Sequence, residues 1–161
     1  MIPTAVARSP ELVQKVLKSF LSAGGYDSLV LPGLKVVHSS EGKVSAEFQV
    51  EKTHLNRLDS VHGGLLATVV DIGGSLAIAS KGLFATGVST DINISYISGV
   101  KQGEKIQVEA RVDKLGKTLA FTTVELFSQG RLEDTKKDVV ALGRHNKFVA
   151  QAYKHPENLI K

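Results

Sequence analysis

The chain has 161 residues, about the size of one ordinary domain, and 42% of them are hydrophobic while 22% are charged. This composition is typical of a globular protein and excludes a disordered chain, and the absence of cysteine excludes a disulfide framework, thiolate zinc ligands and a cysteine nucleophile. The net charge of +4 comes from scattered lysines and arginines, which favours a polyanionic small molecule over nucleic acid as the partner.

The N-terminal region predicts a short amphipathic helix. Residues 1–10 lack the apolar stretch of a secretory signal, so we expect a cytoplasmic or mitochondrial protein. Ser9 is predicted as the N-cap and Pro10 as the first helical residue, and the helix is expected to stop at Gly24-Gly25. One apolar stripe recurs at helical spacing: Leu12, Val13, Val16, Leu17, Phe20 and Leu21.

Two strands are predicted next, at 34–38 and 43–50, with a turn at 39–42 between them. In the second segment, apolar residues alternate with polar ones, as expected for a strand with one buried face. A polar loop, 51–60, follows.

The segment 61–100 carries only three charged residues, Asp71, Lys81 and Asp91. Within it, apolar residues cover nearly every direction of a predicted helix at 62–80, and a helix of this kind is buried on all sides. Because no uninterrupted apolar run reaches the roughly 18–20 residues of a membrane span, we expect a core helix and no membrane insertion.

Four further strands are predicted, at 86–97, 105–113, 119–127 and 139–149. The tight turn 115–117 and the longer charged connection 128–138 make hairpins of them. This order of elements predicts an α+β fold in which one antiparallel sheet curls around the long central helix, with an added N-terminal helix. The sheet leaves apolar surface uncovered, so we expect at least a dimer.

Asp71 lies in the most apolar part of the predicted central helix. A buried carboxylate without a partner is costly, so two interpretations remain open. Asp71 is either a structural aspartate bonded to a neighbouring group, or a general base or nucleophile with a pKa raised by burial.

The sequence His62-Gly63-Gly64 stands at the predicted start of the same helix. First-turn amides have no partner within a helix, and glycine lets a ligand oxygen approach them, which is how an oxyanion hole is built. The alternative is a closely packed helix start in which His62 is a capping or core histidine. Taken alone, Asn56 is typical of a turn and Ser89 of an exposed strand.

His62 and Asp71 are nine positions apart, which places them half a turn out of phase and about 13 Å apart along the helix. One helix therefore cannot direct both side chains at one small substrate. Either the two residues are unrelated, or Asp71 of one subunit meets Gly63 of another across the two-fold axis of a dimer.

Asn56, the sequence HGGL at 62–65 followed by Asp71, and GVSTDINISY at 87–96 together resemble the hotdog-fold thioesterases of the acyl-coenzyme A thioesterase 13 type, in the phenylacetate-pathway-like branch. The sequences KLGKTLAF at 114–121 and GRH at 143–145 strengthen the likeness. It covers about residues 10–150 of a single domain, 1–161, whose ends at 1–9 and 151–161 are expected to be flexible.

The resemblance implies hydrolysis of acyl-CoA to fatty acid and CoA by a homodimer or homotetramer, without a cofactor or metal ion. It implies that Asp71 activates water or attacks directly, that Gly63 donates its amide to the thioester oxygen, and that Ser89 helps to place the water. Asn56 and His62 would orient substrate or water. The implied CoA contacts are Tyr96, Lys114, Gly116, Lys117, Thr118 and Arg144.

Two departures from the family pattern bear on the CoA site: Phe148 replaces a polar residue, and the charged insert 130–138 is longer than usual. Two other functions remain as alternatives, a hotdog enoyl-CoA hydratase and a non-catalytic acyl-CoA binding protein. The chain has no serine nucleophile elbow and no HExxH sequence, which sets serine and zinc hydrolases aside.

Overall fold

Apart from one short additional helix, the helices and strands follow one another in the order that the sequence pattern predicts. The structure, a computed structural model, describes residues 9–129 and 137–160. The helices are α1 (Ser9–Ser22), α2 (Tyr26–Val30) and α3 (Gly63–Ser80). The strands are β1 (Lys35–Ser40), β2 (Lys43–Gln49), β3 (Val88–Tyr96), β4 (Lys105–Leu115), β5 (Leu119–Gln129) and β6 (Asp138–Phe148).

The six strands form one antiparallel sheet in the order β1-β2-β4-β5-β6-β3. β1 and β3 are the edge strands. Helix α3 crosses the inner face of the sheet and contacts β2, β3, β4, β5 and β6. The predicted α+β fold, an antiparallel sheet around a long central helix with an N-terminal helix added, is confirmed.

Gly74 allows α3 to lie close to the sheet. A Cβ atom at this position would be 2.6 Å from Thr122 Oγ1 and 2.7 Å from His145 Nδ1, distances that packed atoms do not tolerate. The glycine therefore brings the middle of the helix within reach of the side chains on β6.

The prediction that α3 is buried on all sides is wrong for the single chain. Gly64, Ala67, Thr68 and Asp71 are exposed or half-buried, and their spacing places them on one stripe of the helix. The sheet and α1 cover the rest of α3 and leave this stripe open.

The expectation about membrane-spanning length also needs correction. The 18 residues of α3 have a mean hydropathy of 1.5, which by length and composition is enough to cross a membrane. Within the protein, however, 72% of this segment is buried. The helix is the core of the domain, as its contacts with five strands show.

Helix α1 packs against α3 and β1, in agreement with its predicted apolar stripe. Ser9 differs from the prediction of an N-cap, because it is the first helical residue and its hydroxyl donates to the backbone carbonyl of Ser80. Helix α2 was not predicted, since its five residues are too few to show a period.

The C-terminal segment, which was expected to be a flexible terminus, carries a 3-10 turn at Ala152–Lys154 and docks on the loop after α3. Leu159 N donates to Gly82 O at 2.8 Å, and the rings of Phe84 and His155 stack with their centroids 4.9 Å apart. Residues 1–8 and 161 lie outside the described residues, as do residues 130–136 of the charged insert.

Candidate active site

Asp71 is surrounded by three polar side chains from β3 and β6. Its Oδ1 accepts a hydrogen bond from Ser89 Oγ at 3.3 Å and lies 3.3 Å from His145 Nε2 and 4.0 Å from Lys147 Nζ. The Asp71 side chain is 46% exposed. Asp71 is therefore not the buried carboxylate that was expected. Its side chain has polar partners on the side that faces the sheet and is open to solvent on the opposite side.

A β-bulge places Ser89 next to Asp71. Ser89 pairs with Lys147 and Ile92 pairs with His145, and the register shifts between Ser89 and Asp91. The extra residue, Thr90, brings Ser89 and Ile92 to the same inner face, as bulges do. Ser89 and Ile92 are three positions apart, so strict alternation along a strand would place them on opposite faces, and the bulge is what places them on the same face.

His145 is fully buried behind Ser89, and its Nε2 lies 2.8 Å from Ser89 Oγ. Burial lowers the pKa of His145 to about 4, and the charge of Lys147 adds to the lowering. The imidazole is therefore neutral at pH 7. Because Ser89 donates to Asp71, we assign the imidazole proton to Nε2, where Ser89 Oγ can accept it; Nδ1 has no partner among the described residues.

Lys147 is a buried cation, with 4% of the residue exposed. Its Nζ donates to Ser75 Oγ at 2.6 Å, and Ser75 lies one turn after Asp71 on α3. Burial lowers the pKa of Lys147, and the negative charge of Asp71 opposes this lowering. Ser75 thus holds the ammonium group beside Asp71.

Asp71 opens into a pocket of about 290 Å³ between helix α3, strand β3 and the segment α1–α2. Phe20, Ile72 and Val88 provide apolar walls, and Asp27 of α2 provides a second carboxylate. Burial raises the pKa of Asp27, and the charge of Asp71 raises it further. The pocket therefore combines two acids, one buried cation and apolar surface.

The start of α3 has a different character. His62 is the N-cap, and its Nδ1 accepts a hydrogen bond from Gly64 N at 2.9 Å. The Gly63 amide has no acceptor among the described residues, and Tyr96 Oη donates to the Gly63 carbonyl at 3.2 Å. Asn56 Oδ1 accepts from Leu58 N at 2.8 Å and so shapes the preceding loop. One unpaired amide is thus presented at the positive end of the helix dipole.

The residues predicted to contact CoA do not lie together in one chain. Tyr96 is at the start of α3, whereas the hairpin 115–119 packs near the end of α3, where Leu115 and Ala120 belong to a cluster with Ile78. Arg144 pairs with Asn93 and Thr123 on the outer face of the sheet, opposite His145. Around the turn, Gly116 O accepts from Tyr153 Oη at 3.2 Å and Thr118 O accepts from Val149 N at 2.8 Å.

Lys114 and Lys117 are exposed at this hairpin, and neither forms an ion pair with a described residue. A bulge between Val112 and Lys114 turns Lys114 to the outer face of the sheet, where Lys114 pairs with Phe121 of the neighbouring strand. Phe148 pairs with Val88 and Leu119 near the same hairpin.

Sequence reasoning missed four residues around Asp71, which are Asp27, Ser75, His145 and Lys147. Alternation in β6 carried a signal for two of them. Ala141 and Val149 are buried, so residues 143, 145 and 147 should face inward, and an inward histidine and lysine are unusual on an apolar face. No cluster of three or more His, Cys, Asp or Glu that could hold a metal ion occurs in residues 9–129 and 137–160.

Comparisons with known proteins identify the family of the chain. Residues 58–135 match the sequence family described as the thioesterase superfamily. The chain is 41% identical to human acyl-coenzyme A thioesterase 13 over 137 residues, which cover 85% of this chain and 94% of the relative. Two solved structures of thioesterase superfamily member 2 are similar to this chain. The zebrafish structure has a TM-score of 0.76 and 38% identity, and the match covers 84% of this chain and 94% of that one. The Mus musculus structure has a TM-score of 0.70 and 34% identity, and the match covers 92% of this chain and 99% of that one.

Proposed function

Because this chain belongs to the thioesterase superfamily, we propose that it hydrolyses acyl-CoA thioesters with Asp71 as the general base. The fold is accordingly the hotdog fold of that superfamily. The observation that supports the role of Asp71 is its position, with one carboxylate oxygen held by Ser89 and 46% of the side chain open to a pocket.

In the proposed reaction, a water molecule bound at the open side of Asp71 gives a proton to the carboxylate as its oxygen attacks the thioester carbonyl carbon. The C–S bond then breaks, the acyl group leaves as the carboxylic acid, and the CoA thiolate takes up the proton that Asp71 holds, which returns Asp71 to its ionised form. Ser89, fixed by its contacts with Asp71 and His145, keeps the carboxylate oriented for the attack. A positioned base of this kind contributes about 10²–10⁴-fold to the rate.

The oxyanion formed during the attack needs a hydrogen-bond donor, and the unpaired Gly63 amide fits that role. Eight residues separate Gly63 from Asp71, a rise of about 12 Å along the helix. Both groups must lie within about 3 Å of the same thioester. We therefore propose that each site combines Asp71 of one copy of the chain with Gly63, and with the adjacent His62 and Asn56, of a second copy.

The surface that would receive the second copy is strand β3 together with the open stripe of α3. Among the described residues, β3 is an edge strand that pairs only with β6, and such edges are ready to pair with another chain. Val88 is 65% exposed and Tyr96 58% exposed on this strand. The proposed assembly is at least a homodimer, with a homotetramer as the fuller form that the family resemblance implies.

The exposed lysines of the hairpin, Lys114 and Lys117, are proposed to hold the CoA phosphates, with Gly116 and Thr118 lining the turn. Tyr96 of the second copy would contact the substrate near Gly63. Arg144, on the outer face, would take part only if the nucleotide reaches over the rim of the sheet.

The proposed function is tested by incubating the protein with saturated and 2-enoyl-CoA substrates of different chain lengths and titrating free thiol. A thioesterase releases one thiol for each ester cleaved. Loss of the enoyl absorbance without thiol release would instead indicate a hydratase. Binding without either reaction would indicate a non-catalytic acyl-CoA binding protein, and both of these outcomes would overturn the proposal.

A further inference from the structure

The charged groups around Asp71 form a set that the proposed reaction does not yet use. Lys147 Nζ lies 4.0 Å from Asp71 Oδ1 on the side of the sheet. Asp27 faces Asp71 across the pocket from helix α2. The carboxylate therefore has a positive neighbour on one side and a negative neighbour on the other.

Lys147 is the cation that acts on Asp71 at neutral pH. His145 Nε2 is closer, at 3.3 Å, but the imidazole is neutral at that pH, because burial lowers the pKa of His145 to about 4. Lys147 cannot move away, since its Nζ is anchored to Ser75 Oγ at 2.6 Å and only 4% of the residue is exposed. A cation fixed 4.0 Å from a carboxylate favours the charged form of that carboxylate.

Asp27 has the opposite effect. It is half-buried in the wall of the pocket, where burial and then the negative charge of Asp71 raise the pKa of Asp27, because like charges repel. Of the remaining neighbours of Asp71, Phe20 and Ile72 are apolar, and Asp91 pairs with Asn146 on the outer face of the sheet. Ser89 carries no charge, but its hydrogen bond to the carboxylate also favours the charged form. In the proposed dimer, the second copy would add His62.

We propose that Lys147 and Asp27 are positioning residues that set, in opposite directions, the pH range in which Asp71 is ionised and can accept a proton from water. Neither side chain needs to touch the substrate for this purpose. The inference rests on the proposed function, because it assigns a reason for the pH range of a reaction in which Asp71 is the base.

The test is the pH dependence of kcat/KM for thiol release from one acyl-CoA, measured for the full chain and its variants. The midpoint of the acid limb reports the ionisation of the base in the free enzyme. Lys147→Met removes the cation but keeps the length of the side chain, and it should raise this midpoint by about one pH unit. The plateau at high pH should stay within about threefold of the wild-type value, because Asp71 is ionised there in both proteins.

Lys147→Arg is the matched control, since it keeps the charge and should leave the midpoint within about 0.3 pH units of wild type. Asp27→Asn should move the midpoint in the other direction, down by about half a pH unit, because the group is partly exposed and solvent screens its charge. Ser75→Ala frees the ammonium group from its anchor and should raise the midpoint, by less than Lys147→Met does.

If circular dichroism and native mass show that Lys147→Met does not fold, the test relies on two other variants. These are Asp27→Asn, at a half-exposed position, and the conservative Ser75→Ala. The inference is overturned if the variants lower kcat/KM equally at every pH, or if Lys147→Met and Asp27→Asn shift the midpoint in the same direction. Absence of thiol release by the wild-type protein at any pH would instead contradict the proposed function itself.

Discussion

Two regions of helix α3, its first turn and its middle, differ in what they offer a reaction. At the first turn, Gly63 presents an unpaired amide beside the side chains of His62 and Tyr96. At the middle, Asp71 presents a carboxylate held by Ser89, His145 and Lys147. The first region has a hydrogen-bond donor but no base, and the second has a base but no free amide, since the amides there are used within the helix.

Under the proposed mechanism, this difference means that one chain does not contain a complete thioester-hydrolysing site. The two regions are about 12 Å apart along the helix axis, and the open stripe of α3 includes Gly64, next to Gly63, in the first region and Asp71 in the second. A second copy placed against β3 in antiparallel orientation would bring its first turn to this middle region. The comparison can be tested by removing each region's chemistry separately.

The largest effect is expected for Asp71→Asn. The amide is nearly isosteric and keeps hydrogen bonding, but it cannot take a proton from water. We predict a fall in kcat of at least about 10²-fold, measured by thiol release, with fold and oligomeric state unchanged. Asp138→Asn, at an exposed position of β6, is the control and should be fully active. Turnover near the wild-type rate in Asp71→Asn would leave Asp71 as a structural residue only.

The buried histidine behind the middle region predicts a pH dependence of stability. Because the folded protein holds the pKa of His145 at about 4 and the unfolded chain does not, the unfolded state binds more protons between pH 6.5 and 4. The free energy of unfolding should therefore fall as the pH drops from 7 to 4.5, by about 2 to 3 kcal/mol from this residue.

Urea denaturation at fixed protein concentration, at pH 7 and pH 4.5, measures this contribution. His145→Gln should lose it, so that the variant and the wild type differ less at pH 4.5 than at pH 7. His38→Gln, at an exposed position of β1, should behave as wild type at both pH values. An identical pH dependence in His145→Gln and wild type would mean that His145 is not buried as a neutral group.

The smallest effect is expected away from both regions, at the hairpin. Replacing Lys114 and Lys117 together with alanine should raise KM by about threefold to tenfold, weaken its salt dependence and leave kcat nearly unchanged. The control removes two other exposed lysines, Lys35 and Lys101. If KM is the same in both double variants and the wild type, the CoA phosphates bind elsewhere.

The backbone of the two regions could be predicted from the sequence. Helix α3 was predicted within one residue of its observed bounds, from the glycines at its start and the apolar run that ends at Ser80. This was possible because the length of a helix is a local property of the sequence. The interpretation of His62 as a cap was among those considered. The half-turn offset between His62 and Asp71, which suggested a shared site, follows from helix geometry alone.

The side chains around Asp71 could not be predicted in the same way. Ser89 reaches Asp71 because of a one-residue bulge, which alternation does not reveal. Lys147 meets Ser75 across 72 positions of sequence, and Asp27 lies on a helix too short to show a period. Such contacts depend on how α3 and α2 pack against β6 and β3, and that packing is fixed by the whole fold.

The central claim, that one site is built from the first turn of one copy and the middle of another, is tested most directly by mixing two inactive variants. Asp71→Asn removes the base, and Gly63→Val places a branched side chain over the amide, where even a Cβ atom would lie 3.4 Å from the Tyr96 ring. After the subunits have exchanged at equal concentrations, about half of the dimers contain one of each, and each mixed dimer has one intact site.

The account predicts that about a quarter of the wild-type activity returns in the mixture. Each variant taken alone through the same unfolding and refolding should stay inactive. If native mass spectrometry shows mixed dimers while the mixture remains as inactive as its parents, the shared site is contradicted, and either Gly63 or Asp71 does not act on the thioester.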